Sequence, residues 1–163
     1  LDAAFNYARW LTKSDADAED VVQDAAMRAL RFFSSLRNDD ARAWLLTIVR
    51  NTWYARLSKP GRVDLHAVLD HMKDERPDEQ LDPEALMIQQ QAVKRVQRAI
   101  EELPVDFREV IVLRELEGFS YKEIAAVIGT PIGTVMSRLA RGRERLLTML
   151  GPESTMGGAG ELS

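Results

Sequence analysis

The sequence predicts an all-α protein: two small helical domains joined by an acidic linker, the C-terminal one containing a helix-turn-helix. Three observations carry this. Apolar residues recur at helical spacing, and no stretch alternates apolar and polar as a half-buried strand would. Capping residues precede the apolar runs, and glycine follows several of them. Residues 60–83 break the pattern with Pro60, Pro77, Pro83 and a run of acids. The division is therefore 1–59 for the first domain, 60–83 for a flexible linker, 84–150 for a four-helix second domain and 151–163 for a disordered, Gly-rich tail.

In the first domain, Ala4, Phe5, Ala8 and Leu11 have helical spacing, and Lys13-Ser14-Asp15 breaks the run. Asp15 or Asp17 is expected to cap the second helix, with Glu19 and Asp20 in its positive first turn. This helix should run to about Ser34. Its expected core stripe is Val22, Ala26, Leu30 and Phe33, which leaves Asp20, Gln23, Asp24 and Met27 on a neighbouring face. After the polar loop at Arg37, Asn38, Asp39 and Asp40, either aspartate can cap a third helix over residues 41–57. Its aromatic and aliphatic side chains are dense enough for the centre of a small domain. Arg42, Arg50, Arg56 and Lys59 give it a basic side, interleaved with Trp44, Trp53 and Tyr54. Aromatics beside cations suit single-stranded nucleic acid, because bases stack and phosphates pair. Composition alone favours the other reading, in which the tryptophans are core.

The linker holds eight acids between Asp64 and Glu84 against Lys73 and Arg76, a net charge of −6. One helical turn is expected around Leu65–Leu69. His66 and His71 lie near Asp64 and Asp70, but their spacing does not place both on one helical face, so no metal site is assigned.

In the second domain, Asp82-Pro83-Glu84 supplies cap, first-turn proline and acid for a helix that runs to Leu103. Pro104 starts the next one, V-D-F-R-E-V-I-V-L-R-E-L-E, which Gly118 ends. From Ser120 to Leu150 the chain reads as a helix-turn-helix. Ser120 and Glu123 have capping-box spacing, and Gly129 ends the short helix in the left-handed conformation. Thr130 and Pro131 are expected as N-cap and first-turn residue of the second helix. There Val135, Leu139 and Leu146, with Gly142 beside them, should pack on Ile124 and Ile128. The opposite face carries Gly133, Ser137, Ala140, Arg141 and Glu144. Arg138 and Arg145 flank it on one side, Met136 and Arg143 on the other. Small residues let a helix approach base edges, and arginines reach phosphates or guanine. An ordinary helical hairpin with solvated arginines would share this pattern.

The whole chain carries a net charge of −4, which argues against nucleic acid until its distribution is read. Residues 1–59 are net +1, 60–103 net −4 and 104–163 net −1. A polyanion responds to local potential within a Debye length, roughly 8–10 Å, and not to the total. There is no cysteine, so disulfides and thiolate metal sites are excluded. No apolar run approaches the roughly 20 residues needed to cross a bilayer. There is no Gly-rich phosphate loop, nucleophile elbow or evident carboxylate pair.

Three passages in order resemble a bacterial RNA polymerase sigma factor of the extracytoplasmic-function group. D-A-E-D-V-V-Q-D (17–24) looks like the family's core-polymerase-binding helix, and R-A-W-L-L-T-I-V-R-N-T (42–52) like its promoter-melting helix. Residues 103–146 look like its C-terminal promoter-binding domain. The resemblance implies a non-enzymatic, cytoplasmic initiation factor with core RNA polymerase and promoter DNA as partners, an anti-sigma factor as regulator and no cofactor. It implies polymerase binding by Asp20, Gln23, Asp24 and Met27; Asp24 stands where the family usually has Glu. It implies minus-ten contacts by Arg37, Asn38, Asp39, Asp40, Trp44, Arg50 and Asn51. It implies minus-thirty-five contacts by Thr134, Met136, Ser137, Arg138, Ala140, Arg141 and Arg145; Met136 replaces a common Lys or Arg. The acidic linker matches a segment that threads the polymerase cleft. A free-standing helix-turn-helix regulator would need neither the Asp20–Asp24 face nor the Trp44–Tyr54 helix. A small helical hydrolase built on His66 or His71 lacks a second convergent group.

Overall fold

The computed structural model describes residues 2–36, 41–59 and 84–151. Expectations for the Arg37–Asp40 loop, the linker and the tail lie outside the described residues. Within them the chain forms α1 (Asp2–Thr12), α2 (Asp15–Arg31), α3 (Ala41–Leu57), α4 (Glu84–Glu102), α5 (Val105–Ile111), α6 (Tyr121–Ile128) and α7 (Ile132–Leu150), and no strand. A short 3-10 turn, Phe33–Ser35, follows α2, and a π turn, Val112–Leu116, extends α5.

Helices α1 and α2 form a tight hairpin. Lys13 takes a left-handed conformation, with φ of 59°. That reversal sets extended Ser14 as the N-cap of α2, where its hydroxyl accepts from the Asp17 N–H at 3.3 Å. Neither expected aspartate is the cap; both lie in the first turn, near the helix's positive end. The expected core stripe of α2 is also corrected. Ala18, Val21 and Ala25 are buried, Val22 is half-buried, and Leu30 and Phe33 are 76% and 64% exposed. Small side chains at positions 18 and 25 let neighbouring helices approach closely. Leu30 comes at the end of α2 and Phe33 in the 3-10 turn after it, beyond the reach of α1, since the 17 residues of α2 outrun the 11 of α1 in the hairpin. On α1 itself Tyr7 is fully buried, whereas Phe5 is only half-buried.

Helix α3 buries Ala43, Leu46, Val49, Thr52 and Trp53, and half-buries Trp44, Leu45, Ile48 and Tyr54. A helix apolar around most of its circumference needs neighbours on several sides. It has them: α1 and α2 on one side and α6 on another.

In the C-terminal half, Ala99, Ile100 and Leu103 anchor the end of α4. The buried Arg108 guanidinium donates to the carbonyls of Glu101 and Leu103, which α4 leaves without intrahelical partners. In the π turn the Glu117 N–H reaches back five residues to the Val112 carbonyl at 3.0 Å. The capping box of α6 is complete: Ser120 Oγ accepts from Glu123 N–H at 3.1 Å, and the Glu123 carboxylate accepts from Ser120 N–H at 2.9 Å. Gly129 closes α6 with φ of 69°. Thr130 is not the N-cap of α7. Its N–H donates to the Ala125 carbonyl, so it finishes α6, and extended Pro131 takes the cap position. The Pro131 carbonyl accepts from Thr134 and Val135. Val135, Leu139 and Gly142 are buried as expected, against α5 as well as α6.

The two halves are not separate bodies in this arrangement. Their buried side chains form one cluster, with α1 against α5 and α3 against α6.

Candidate nucleic-acid interface

Three surfaces hold the residues singled out in the sequence. The first is on α2. Asp20, Gln23 and Met27 are exposed and Asp24 is half-exposed, all on one side of the helix. Asp20 lies 3.8 Å from Arg56, and Asp24 lies 3.8 Å from Arg28. Such loose surface pairs contribute little, so the face stays available to a partner. Met27, Leu30, Phe32 and Phe33 extend it as an exposed apolar patch.

The second surface was expected along α3, and the structure divides it. Asn51 is exposed and Trp44 half-buried; Trp53 is core. Arg50 is turned inward. Its Nε and a terminal amine donate to the two carboxylate oxygens of Glu109 on α5, at 2.9 and 3.1 Å. The Glu109 side chain is 0% exposed. The Tyr7 hydroxyl donates to the same carboxylate at 3.1 Å. Arg50 also stacks over the Tyr54 ring, 4.5 Å from its centre. Burial first, and then the charge of Glu109, raise the Tyr7 phenol well above its ordinary range. The same two causes, in the same order, raise Tyr54. For Arg50, burial works against the charge, but the hydrogen bond and charge of Glu109 outweigh it and leave its pKa raised. A second ion pair lies further along: Arg42 donates to Glu117 at 2.7 Å, with its guanidinium over the Phe119 ring. Arg37, Asn38, Asp39 and Asp40 fall outside the described residues.

The third surface is on α7. Met136, Ser137, Ala140, Arg141 and Arg145 are exposed, and Thr134 and Arg138 half-buried. They lie opposite or beside the buried Val135, Leu139 and Gly142, as the spacing predicts. Arg143 is tied to Glu115 of the π turn at 2.6 Å, a hydrogen bond that raises its pKa. Arg145 leans over Phe107, 5.0 Å from the ring centre.

The sequence reading missed Tyr7, Glu109 and Glu117 as partners of the α3 arginines. One signal was present. Glu109 falls at helical spacing between Val105 and Val112, a charged residue on an apolar stripe. Among the described residues no group of three or more His, Cys, Asp or Glu is placed to hold a metal ion. His66 and His71 lie outside them. Among the described residues no helix is long and apolar enough to cross a membrane.

The fold and its surfaces define the class of all-helical proteins that carry a capped helix-turn-helix behind an N-terminal helical group with an exposed acidic face. Residues 1–63 match the family model described as Sigma-70 region 2, and residues 94–146 match Sigma-70, region 4. The chain is 41% identical over 137 residues to the ECF RNA polymerase sigma-E factor of Escherichia coli, covering 80% of this chain and 72% of that protein. It is 32% identical over 154 residues to the ECF RNA polymerase sigma factor SigE of Mycolicibacterium smegmatis, covering 94% and 60%. Among solved structures it is similar to the sigma factor RpoE in complex with the anti-sigma factor NepR from Bartonella quintana. That match has a TM-score of 0.68 and 33% identity and covers 91% of this chain and 90% of that one. It is also similar to CnrH in complex with the cytosolic domain of CnrY, with a TM-score of 0.60, 27% identity and coverage of 91% and 80%. The chain belongs to the extracytoplasmic-function group of RNA polymerase sigma factors. This family comprises transcription initiation factors, not enzymes.

Proposed function

We propose that this chain binds core RNA polymerase, directs it to a specific set of promoters and takes part in opening them, without catalytic chemistry of its own. The observation that carries the reading is the presence, on one chain, of two exposed surfaces with different chemistry. One is the acidic and apolar face of Asp20, Gln23, Asp24 and Met27. The other is the small and basic face of Ser137, Ala140 and Arg141. The acidic face suits a basic protein surface, and the α7 face suits the major groove. In this reading residues 1–59 bind polymerase and the minus-ten element, with Trp44, Arg50 and Asn51 meeting the melted strand. Residues 84–150 read the minus-thirty-five element through α7, with Thr134, Met136, Arg138 and Arg145 around the central face. The acids of residues 60–83 cross the polymerase's nucleic-acid channel. The place of action is the cytoplasm, and an anti-sigma factor is the regulator, as RpoE has NepR. Run-off transcription with core polymerase is the test. Promoter-dependent transcripts are expected only when the chain is added, and their absence from every promoter of a genomic library would refute the reading.

A further inference from the structure

We propose that Met136 reads thymine through its C5 methyl group, so that the upstream promoter element is selected by an apolar contact as well as by arginine. The inference rests on the reading of α7 as the helix that enters the major groove and adds which base one flank of it selects.

Four observations carry it. Ile132 opens α7 and Met136 lies one turn in; both are exposed, at 44% and 52%. That end of a recognition helix is the one that meets base edges. Residues three and four apart are neighbours on a helix surface. For Met136 these are Ile132, Gly133, Leu139 and Ala140, none with a polar side chain. Gly133 is exposed, and a Cβ built on it would have nothing within 4 Å, so the ground beside Met136 is bare backbone. The first charged residue along the Met136 stripe is Arg143, about two turns on. It is turned to Glu115 of the π turn, to which two of its N–H groups donate at 3.0 and 2.6 Å.

A scattered exposed apolar residue needs no explanation. Here the setting decides. Arg138, Arg141 and Arg145 lie at least about 140° around the helix from Met136. The face of α7 therefore has a basic flank, a centre of small residues and an apolar flank. The floor of the major groove offers hydrogen-bonding atoms on every base pair and a single apolar group, the thymine methyl. A thioether offers no strong donor or acceptor, so base-edge polar atoms gain nothing from it. Its flexible, polarisable chain does cover a methyl group well. Bare Gly133 removes the bulk that would hold this end of α7 off a base pair. The hold of Glu115 on Arg143 leaves the flank without a cation to bind guanine instead.

The test uses holoenzyme assembled from the full chain and core polymerase, on duplexes whose upstream element is randomised. Selection by the parent should yield an element that contains thymine. Each thymine is then replaced singly by deoxyuridine, which keeps the base pair and removes only the methyl. At one or two positions the parent should lose about fourfold in competition binding, the preference that one buried methyl confers. Met136→Ala should bind the thymine and uridine duplexes equally. Met136→Leu, still apolar, should keep most of the difference. An element without thymine, no uridine penalty in the parent, or the same penalty in Met136→Ala each overturns the methyl contact. Arg141→Ala in the same selection separates the two failures. A changed base preference there beside a failed methyl contact would leave α7 in the groove, whereas unchanged preferences in both variants would sink the reading of α7 itself.

Discussion

Gly142 of α7 lies directly against Ile111 of α5: a Cβ built on the glycine would stand 2.9 Å from Ile111 Cγ1. That is inside any ordinary carbon contact, and Ile111 is 1% exposed. Gly133, one end of the same helix, has nothing within 4 Å of the same position. The two glycines therefore separate backbone from packing. Alanine gains roughly 0.5–1 kcal/mol over glycine in a helix interior, whereas overpacking a core costs about 1–3 kcal/mol. Gly142→Ala is expected to lower the urea midpoint and Gly133→Ala to raise it slightly. Shifts of the same sign would mean that the close α5–α7 approach is not held in solution.

The Tyr7 phenol provides a pH test of the same core. Burial and the Glu109 charge raise it well above the ordinary 10.0. A folded value above the unfolded one means that its contribution is fully present below about pH 10 and is lost as pH rises through the folded value. An alkaline absorbance titration of the three tyrosines should show Tyr54 raised and Tyr7 ionising latest, the Tyr7 step coming together with loss of the α1–α5 contact. Tyr7→Phe should abolish that step. It should also cost about 1.5 kcal/mol, the scale of a hydrogen bond to a charged acceptor. Three tyrosines that titrate together near the ordinary value would contradict the buried placement.

On α2, Asp20→Arg with Asp24→Arg should leave the fold intact, because both positions are at the surface and their pairs with Arg56 and Arg28 are loose at 3.8 Å. Competition for core polymerase should fall by several kcal/mol if a desolvated charge contact is reversed. A folded double variant that competes like the parent would remove this face from the polymerase interface.

Local signals were legible where a single residue decides the outcome. Ser120 and Glu123 announce a capping box, and Gly129 a left-handed cap, because their chemistry permits few alternatives. The α7 stripe was legible because Val135, Leu139 and Gly142 recur at helical spacing opposite a face of small and basic residues. On α2 size misleads: Ala18 and Ala25 are buried while Leu30, and Phe33 in the turn that follows, are exposed, and only the length and position of α1 decide which. The Arg50–Glu109–Tyr7 contact joins residues up to 102 positions apart, and no spacing rule reaches that far. A charged residue on an apolar stripe was its one visible trace.

The α7 face allows base reading to be told from general attraction. Arg141 is exposed near the middle of the face, one turn from Ser137. Arg138 is half-buried at its edge, where a phosphate is the natural partner. Arg145 is also at the edge, but its contact with Phe107 gives it a packing role. A base-reading arginine carries roughly 1–3 kcal/mol of discrimination, whereas a phosphate contact weakens all sequences alike and lowers the salt slope by about one. Arg141→Ala should therefore relax preference at one or two positions of the upstream element. Arg138→Ala should lower affinity with preference intact. Arg145→Ala should do the same and also lose about 0.5–1 kcal/mol of stability with its ring contact. Selection from a promoter library with each variant in holoenzyme, and urea melts of each free chain, read these outcomes apart. Equal affinity losses with parental base preferences in Arg141→Ala and Arg138→Ala would show that the reading face lies elsewhere on α7.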